Sequence, residues 1–330
     1  MSEIWPLRRS ISAGAILALV LSIAFVGLAG AQPYPTKPIR LIVPTAAGNT
    51  ASNVARLIGQ KLTESWGQQV IVDNRAGGNS VIGTEIAAKA APDGYTMLVV
   101  STTHVVSANL LPNLPYDSIK DFAPVATLSV SPMILVLNPS VPASNLQEFI
   151  AVAKAQPGQL NYATTGSGSV THLAGELFSS ITGVKMQHIS YQGAARGMID
   201  LIGGQVQLSF IVVLNTLPHI KTGRLKPIAV TGTSRVPALP QVPTFTEAGL
   251  PGFDISVWFG MIAPRGTPKN VIARLSNEIA RIQATPEVKE KLGSQGLEVF
   301  VSSPEQFAAL MKSEIQKFAK IIKTANIKLE

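Results

Sequence analysis

The chain has 330 residues and a formal net charge of +8, from 27 lysines and arginines against 19 aspartates and glutamates. It contains no cysteine, which excludes disulfides, thiolate catalysis and cysteine-ligated metals. The basic residues are scattered rather than grouped with aromatics, so the sequence lacks the footprint of nucleic-acid binding.

The first 31 residues have the pattern of a secretory signal peptide. Arg8 and Arg9 precede an apolar run over residues 11–29, which ends in the small triplet Ala29-Gly30-Ala31. We therefore expect cleavage after Ala31, export to the periplasm and a soluble mature protein. Its net charge is +7, because the segment removes two arginines and one glutamate. An uncleaved membrane anchor is the alternative, since the apolar run is nearly long enough to span a bilayer.

Strand-like and helix-like segments alternate through the rest of the chain. Short apolar or β-branched runs predict strands at residues 39–43, 70–72, 96–100, 133–137, 161–164, 187–190, 207–212 and 227–230. Amphipathic stretches predict helices at residues 51–66, 81–91, 145–155, 170–182, 268–284 and 304–325. This alternation indicates an α/β fold built on largely parallel sheets.

Two extended runs are candidates for crossings of the chain between two domains. The first covers residues 125–137 and is broken at Pro132, and the second covers residues 253–263. A mature chain of about 300 residues often divides into two domains. The pattern alone is equally compatible with two ordinary edge strands.

Four turns between a strand and a helix combine small residues with hydroxyl groups. Such turns allow close backbone approach and cap helices, and ligands of open α/β sheets bind at the carboxyl ends of strands. The candidate ligand-binding residues are Ala46, Ala47, Gly48, Asn49 and Ser52 in the first turn; Thr102 and Thr103 in the second; Thr165, Gly166, Ser167, Gly168, Ser169 and His172 in the third; and Tyr191, Gly193 and Ala194 in the fourth. For His172, a structural hydrogen bond is an equal alternative.

Residue spacing disfavours several kinds of chemistry. Gly166, Gly168 and Thr171 form G-x-G-x-x-T, without the third glycine and the downstream acid of a dinucleotide site, and no turn has the lysine of a P-loop. There is no G-x-S-x-G, no zinc spacing among the four histidines and no carboxylate pair at a recognisable catalytic spacing. We therefore expect no cofactor, no metal and no catalytic residue. An exported hydrolase-like enzyme is the less favoured alternative.

Reversible binding of a small polar solute remains. Helix N-termini present N–H groups and a partial positive charge, which suits carboxylates. Each hydrogen bond to a charged group contributes about 1.5–3 kcal/mol. Four or five such bonds would reach micromolar affinity, roughly −8 kcal/mol, after the cost of association.

Motifs spread over nearly the whole mature chain support a more specific interpretation. They are YPTKPIRLIVP (34–44), VDNRAGGN (72–79), KAAPDGYT (89–96), LPYD (114–117), LNYA (160–163), HLAGELF (172–178), GGQV (203–206), LPQVPT (239–244), EAGLP (247–251) and APRGTP (263–268). In these motifs the chain resembles the Bug or TctC-like receptors, the extracytoplasmic solute-binding proteins of the tripartite tricarboxylate transporter system.

The resemblance implies a type II periplasmic-binding-protein fold, in which two α/β domains joined by two crossings close on a ligand. We expect residues 32–131 and 255–330 to form a discontinuous first domain, and residues 132–254 to form the second. The implied ligand is a small organic carboxylate, which the receptor delivers to integral membrane transporter subunits. We expect a monomer, and docking on a membrane sensor kinase is an alternative role.

The first turn departs from the family pattern. Relatives commonly read PFAPGGxTD where this chain reads PTAAGNTAS at residues 44–52, so that Ser52 replaces an acid. YQG replaces YKG at residues 191–193, and FIV replaces FDN at residues 210–212. A buried ammonium without a carboxylate partner costs several kcal/mol. We therefore expect a ligand without a free amino group; compensation by Asn49, Thr102 or Gln192 is the alternative.

Overall fold

Two mixed β-sheets organise the chain. The computed structural model describes residues 34–191, 193–325 and 327, and both sheets lie in one compact unit that begins at Lys37. The signal-peptide prediction, with cleavage after Ala31, lies outside the described residues.

The strands follow from short apolar runs between turn residues. In chain order they are β1 (Ile39–Val43), β2 (Val70–Asn74), β3 (Thr96–Ser101), β4 (Phe122–Ser131), β5 (Met133–Leu137), β6 (Asn161–Thr164), β7 (Gln187–Ser190), β8 (Leu208–Val212), β9 (Lys226–Val230), β10 (Val257–Pro264) and β11 (Glu298–Val299). The first sheet has the order β11-β4-β10-β3-β1-β2, and the second has the order β7-β6-β8-β5-β9.

Helices pack on both sheets. They are α1 (Thr50–Trp66), α2 (Val81–Ala88), α3 (Thr102–Leu110), α4 (Leu146–Ala155), α5 (Val170–Thr182), α6 (Ala194–Ile202), α7 (Leu217–Lys221), α8 (Lys269–Ala284), α9 (Pro286–Ser294) and α10 (Pro304–Thr324), with 3₁₀ turns at Gly78–Ser80 and Val213–Asn215. Local sequence sets many of their ends. In α1, the Asn49 side chain caps the start and Gly67 ends the helix in a left-handed conformation.

The crossing prediction is confirmed, and the edge-strand alternative is wrong. Strand β4 belongs to the first sheet and β5 to the second, with Pro132 alone between them. Both are interior strands: β4 pairs with β10 and β11, and β5 pairs with β8 and β9. The chain returns to the first sheet at β10, where Val257 pairs with Ser131. The two crossings therefore lie side by side, and the fold is the type II arrangement of two α/β domains. The domain limits given above stay a prediction.

The expectation of largely parallel sheets is wrong. Among the described strands, β1 with β2 and β3, and β6 with β7 and β8, are the parallel pairs. The other five pairings are antiparallel. The reason is the route of the chain: β5 enters the second sheet, and β10 re-enters the first sheet, against the direction of the strand–helix units, while β11 is added antiparallel to β4.

The C-terminal helix α10 closes the core over both sheets. Its Phe307 packs on Trp258 of β10, with ring centroids 5.5 Å apart, and occupies the space beside Gly260, where a Cβ atom would meet the ring. Further along, α10 contacts both α3 and α5. In the part of the chain that the structure describes, no helix is both long and apolar enough to cross a membrane.

Candidate ligand-binding site

Two adjoining cavities lie between the sheets, next to the crossings. The larger has a volume of about 310 Å³ and the smaller about 190 Å³. Thr103, Val212 and Val257 line both cavities, so the two cavities form one continuous cleft. This places the cleft at the carboxyl ends of the strands, where ligands of such folds bind.

The smaller cavity lies at the start of two helices. Strands β1 and β3 are parallel neighbours, so the helices that follow them, α1 and α3, begin at the same edge of the sheet. Asn49, Thr50 and Ala51 of the first helix line the cavity, together with Ser101 and Thr103 of the second. The N–H groups of a first helical turn lack carbonyl partners within the helix and carry partial positive charge. Two positive helix ends therefore face this cavity.

Hydrogen bonding at this end leaves donors available for a ligand. The Asn49 carboxamide oxygen accepts from the Ala51 N–H at 2.9 Å, while Ser101 caps α3 without a side-chain hydrogen bond. Thr45 also lines the cavity, and its buried hydroxyl has no hydrogen-bond partner among the described residues. An anion in this cavity would meet backbone and hydroxyl donors.

The third turn, residues 164–169, differs because it satisfies most of its own polar groups. The Thr165 N–H donates to the Thr171 hydroxyl at 2.9 Å, and the Gly168 N–H donates to His172 Nδ1 at 3.0 Å. The Ser169 N–H donates to the Gly166 carbonyl at 3.1 Å. The turn forms one wall of the larger cavity, but its donors are largely occupied.

His172 supports this turn from behind. It is buried, and its Nδ1 accepts the Gly168 N–H, so the neutral ring carries its proton on Nε2. Burial and the neighbouring His188 lower its pKa from 6.5 to about 4. Of the two roles considered for His172, the structure therefore shows a structural hydrogen bond, and the residue does not line either cavity.

The walls of the cleft are electrically neutral. Among the described residues that line the two cavities, none carries a formal charge. The larger cavity has a continuous apolar wall together with the polar side chains of Thr103, Ser107, Asn215 and the third turn; the apolar residues are Val106, Leu110, Leu111, Val170, Ile211, Val212 and Val257. Within the described residues there is also no group of three or more histidine, aspartate or glutamate residues placed to hold a metal ion.

The structure brings part of the predicted set together. The predicted residues that line the cleft are Asn49, Thr103, Thr165, Gly166, Ser167, Gly168 and Ser169. Ala46, Ala47 and Gly48 are exposed at its margin without lining either cavity. In the fourth turn, the Tyr191 hydroxyl donates to Asp200 at 2.8 Å, and Gly193 and Ala194 line neither cavity.

Two of the predicted residues have buried, structural side chains. Ser52 is fully buried and shares hydrogen bonds of 3.1 and 3.3 Å with the Asn74 carboxamide. Thr102 is also fully buried: its hydroxyl accepts from the Trp258 N–H at 3.0 Å and donates to the Ser256 carbonyl at 3.2 Å. The first contact fixes the wall behind the first turn, and the second ties the start of α3 to a crossing.

Sequence reasoning missed the apolar wall. Val106 and Leu110 belong to α3, and Leu111 caps its end; the sequence pattern predicted a helix after the second turn but not its bounds. Ile211 and Val212 come from the end of β8, at the position where FIV replaces the family's FDN. That replacement was the available signal, because it exchanges two polar side chains for apolar ones.

Comparison with known proteins agrees with this architecture. Residues 54–327 match the profile described as "Tripartite tricarboxylate transporter family receptor". The chain belongs to this family. It is 36% identical over 321 residues to the protein BugT of Bordetella pertussis, covering 96% of this chain and 98% of BugT. The resemblance seen in the motifs is confirmed, and the chain is a solute-binding receptor of the tripartite tricarboxylate transporter type.

Solved structures of relatives have the same fold. A Rhodopseudomonas palustris protein solved with adipate has a TM-score of 0.77 and 33% identity, covering 90% of this chain and 100% of that one. MatC from the same species, solved with bound malate, has a TM-score of 0.72 and 31% identity, covering 88% of this chain and 100% of that one.

Proposed function

We propose that this receptor captures a small organic carboxylate without a free amino group and delivers it to the membrane subunits of a tripartite tricarboxylate-type transporter. The observation that carries the proposal is the pair of helix N-termini, α1 and α3, facing one neutral cavity. Two such ends favour an anion, and two relatives were solved with carboxylates, adipate and malate.

The neutral walls support the absence of an amino group. A ligand ammonium in the cleft would need a carboxylate partner, and none of the described residues lining the cavities supplies one. Leaving that charge unpaired would cost several kcal/mol. The residue at position 52 does not decide this exclusion, because the Ser52 side chain is buried behind the turn.

The same walls favour binding over catalysis. The hydroxyl groups of the cleft have no histidine, lysine or carboxylate among the described lining residues to act as their base. A receptor role requires instead that the domains close on the ligand, and the paired crossings supply a hinge. Small-angle scattering should show a smaller radius of gyration when ligand is bound.

The ligand class can be tested directly. Native mass spectrometry of the exported protein should detect a copurified carboxylate, and calorimetry should rank di-, tri- and monocarboxylates above aspartate and glutamate. Binding of amino acids with no binding of plain carboxylates would contradict the proposal.

Position 49 offers a matched pair of variants. Asn49→Asp keeps an N-cap of similar strength but places a negative charge beside the anion, so carboxylate affinity should fall on the order of tenfold or more. Asn49→Ser, a neutral cap, should retain affinity within about threefold. Equal affinity of both variants would place the carboxylate elsewhere.

Export and delivery need separate measurements. Cell fractionation should find the protein in the periplasm, and Edman sequencing should begin at Gln32. Uptake of the identified carboxylate should be lost when the gene for this chain, or those for the membrane subunits, are deleted. Uptake that is unchanged without the receptor would exclude delivery.

A further inference from the structure

We propose that the ligand has a single carboxylate and an apolar body, with the carboxylate in the smaller cavity and the body in the larger one. This inference rests on the proposed function and narrows the ligand class. It follows from the uneven polarity of the cleft.

Helix α3 sets this polarity along its own length. Its first turn presents Thr103 to both cavities, next to Ser101 and the start of α1. One and two turns later, Val106 and Leu110 line the larger cavity, followed by Leu111. A ligand lying along α3 would therefore have a polar end at the helix start and an apolar end toward Leu111.

The opposite wall of the larger cavity is apolar as well. Ile211 and Val212 at the end of β8, and Val257 at the start of β10, face the side chains of α3. The cavity, of about 310 Å³, has room for several water molecules. An aromatic ring or a short alkyl chain would exclude this water from apolar walls, and each methylene so buried raises affinity about fourfold.

Ser107, Ser167 and Asn215 offer polar groups in the larger cavity, but most donors of the third turn are not available to a second carboxylate. The N–H groups of Thr165, Gly168 and Ser169 already donate within the third turn. The hydroxyls of Thr165 and Ser169 are engaged by Thr171, at 3.1 and 2.8 Å. A charged group bound against the third turn would lose hydration that these neutral groups replace only in part.

Pairs of acids that differ by one carboxylate test the inference on the mature wild-type protein. Calorimetric dissociation constants would be measured for hexanoate against adipate, for benzoate against terephthalate, and for acetate, butyrate and hexanoate as a length series. We expect each monoacid to bind at least about tenfold more tightly than its diacid. Affinity should rise about fifteenfold for each two methylenes added.

A matched pair of variants locates the apolar body. Leu111 is half-buried and lines the larger cavity, whereas Ile199 is 68% exposed on α6 and lines neither cavity. Leu111→Asn should weaken hexanoate and benzoate binding about tenfold and leave acetate unchanged, while Ile199→Asn should leave all three unchanged. If Leu111→Asn fails to fold, the isosteric Val106→Thr, which alters the larger cavity and not the smaller one, replaces it with the same expected results.

The outcomes separate the two proposals. Tighter binding of adipate and terephthalate, or equal binding of acetate and hexanoate, would overturn the single-carboxylate inference and leave the carboxylate receptor intact. Equal effects of Leu111→Asn and Ile199→Asn would overturn the placement of the apolar body. Failure of every carboxylate to bind would overturn the proposed function itself.

Discussion

His172 and His188 stack face to face, with ring centroids 3.7 Å apart and ring planes within 5° of parallel. The pair lies behind the third turn, where His172 accepts from Gly168 and His188 Nε2 lies 2.7 Å from the Thr164 hydroxyl. Protonation of His172 Nδ1 would abolish its acceptor role, and two charged rings at this distance would repel each other. The turn therefore depends on the neutral form of His172.

Stability should decrease as the pH falls from about 6.5 to about 4. Burial and His188 lower the pKa of His172 to about 4, and burial lowers that of His104 to about 4, from 6.5 in each case. Between these values the unfolded chain binds more protons than the folded one, so acid favours unfolding. Urea titrations followed by tryptophan fluorescence should show that the free energy of unfolding falls by on the order of 1.4 kcal/mol per pH unit for each histidine.

His104 should contribute to this pH dependence independently of His172. Its Nε2 lies 2.9 Å from the Ser118 carbonyl and donates to it, while the buried Nδ1 has no partner among the described residues. A second proton on Nδ1 would therefore be buried without an acceptor. The variant His172→Gln should keep the contribution of His104 and show about half the wild-type pH slope. A free energy of unfolding that is constant between pH 7 and pH 5 would contradict the prediction.

Thr102 and Thr103 should differ in what their loss affects. Thr102→Val removes two buried hydrogen bonds, to Trp258 and Ser256, and should lower the free energy of unfolding by about 1–3 kcal/mol. Thr103→Val changes a half-buried residue that lines both cavities, and should lower carboxylate affinity with little effect on stability. Thermal unfolding and calorimetry on both variants separate the two roles. The reverse pattern would show that the sequence-based assignment of Thr102 to the ligand was right.

Ser52→Asp tests whether the missing acid acts through the ligand. The side chain is fully buried against Asn74, so the new carboxylate would be desolvated within the wall. We expect a loss of stability of about 1–3 kcal/mol and no gain of amino-acid binding. Ser52→Ala is the control, since it removes the hydrogen bond without adding charge and should cost about 1 kcal/mol. New affinity for aspartate or glutamate in Ser52→Asp would show that position 52 reaches the ligand.

Gly175→Ala should be clearly destabilising. A Cβ atom at Gly175 of α5 would overlap the ring of buried Tyr162, whose hydroxyl donates to Glu176 at 2.6 Å. Moving that ring should cost about 1–3 kcal/mol. Gly293→Ala in α9 is the matched control, because nothing lies within 4 Å of its Cβ position, and it should be neutral or stabilise by up to about 1 kcal/mol. Equal stability of the two variants would contradict the packing argument.

Local patterns predicted much of the fold. Strands at residues 39–43, 133–137, 161–164 and 187–190 and the helix at residues 170–182 match the structure to the residue. Each is a short run bounded by turn residues or a cap, so that nearby side chains decide it. Sheet direction was wrong because it depends on where β10 returns, more than a hundred residues after β4.

The site was harder to predict, because contacts between distant residues decide which turn residues are free to bind a ligand. Turn chemistry predicts Asn49 and Thr103 as ligand-binding residues, and both line the smaller cavity. Ser52 was placed in the turn, although it belongs to the buried stripe of α1 with Ala55 and Ile58, a period the sequence already contains. The saturation of the third turn depends on Thr171 and His172 folding back onto it, which no motif specifies.

The pairing of Val257 with Ser131 has a consequence for how binding becomes movement. Because the two crossings are adjacent, a rotation of one sheet relative to the other would take place about a single axis through them. Val257 lies at that axis and lines both cavities, whereas Asn49 and Ser167 lie on opposite sides of the cleft. A ligand that reaches from one side to the other sets the angle between the two sheets. The length of the ligand along the cleft would thereby limit how closely the two sheets can approach each other.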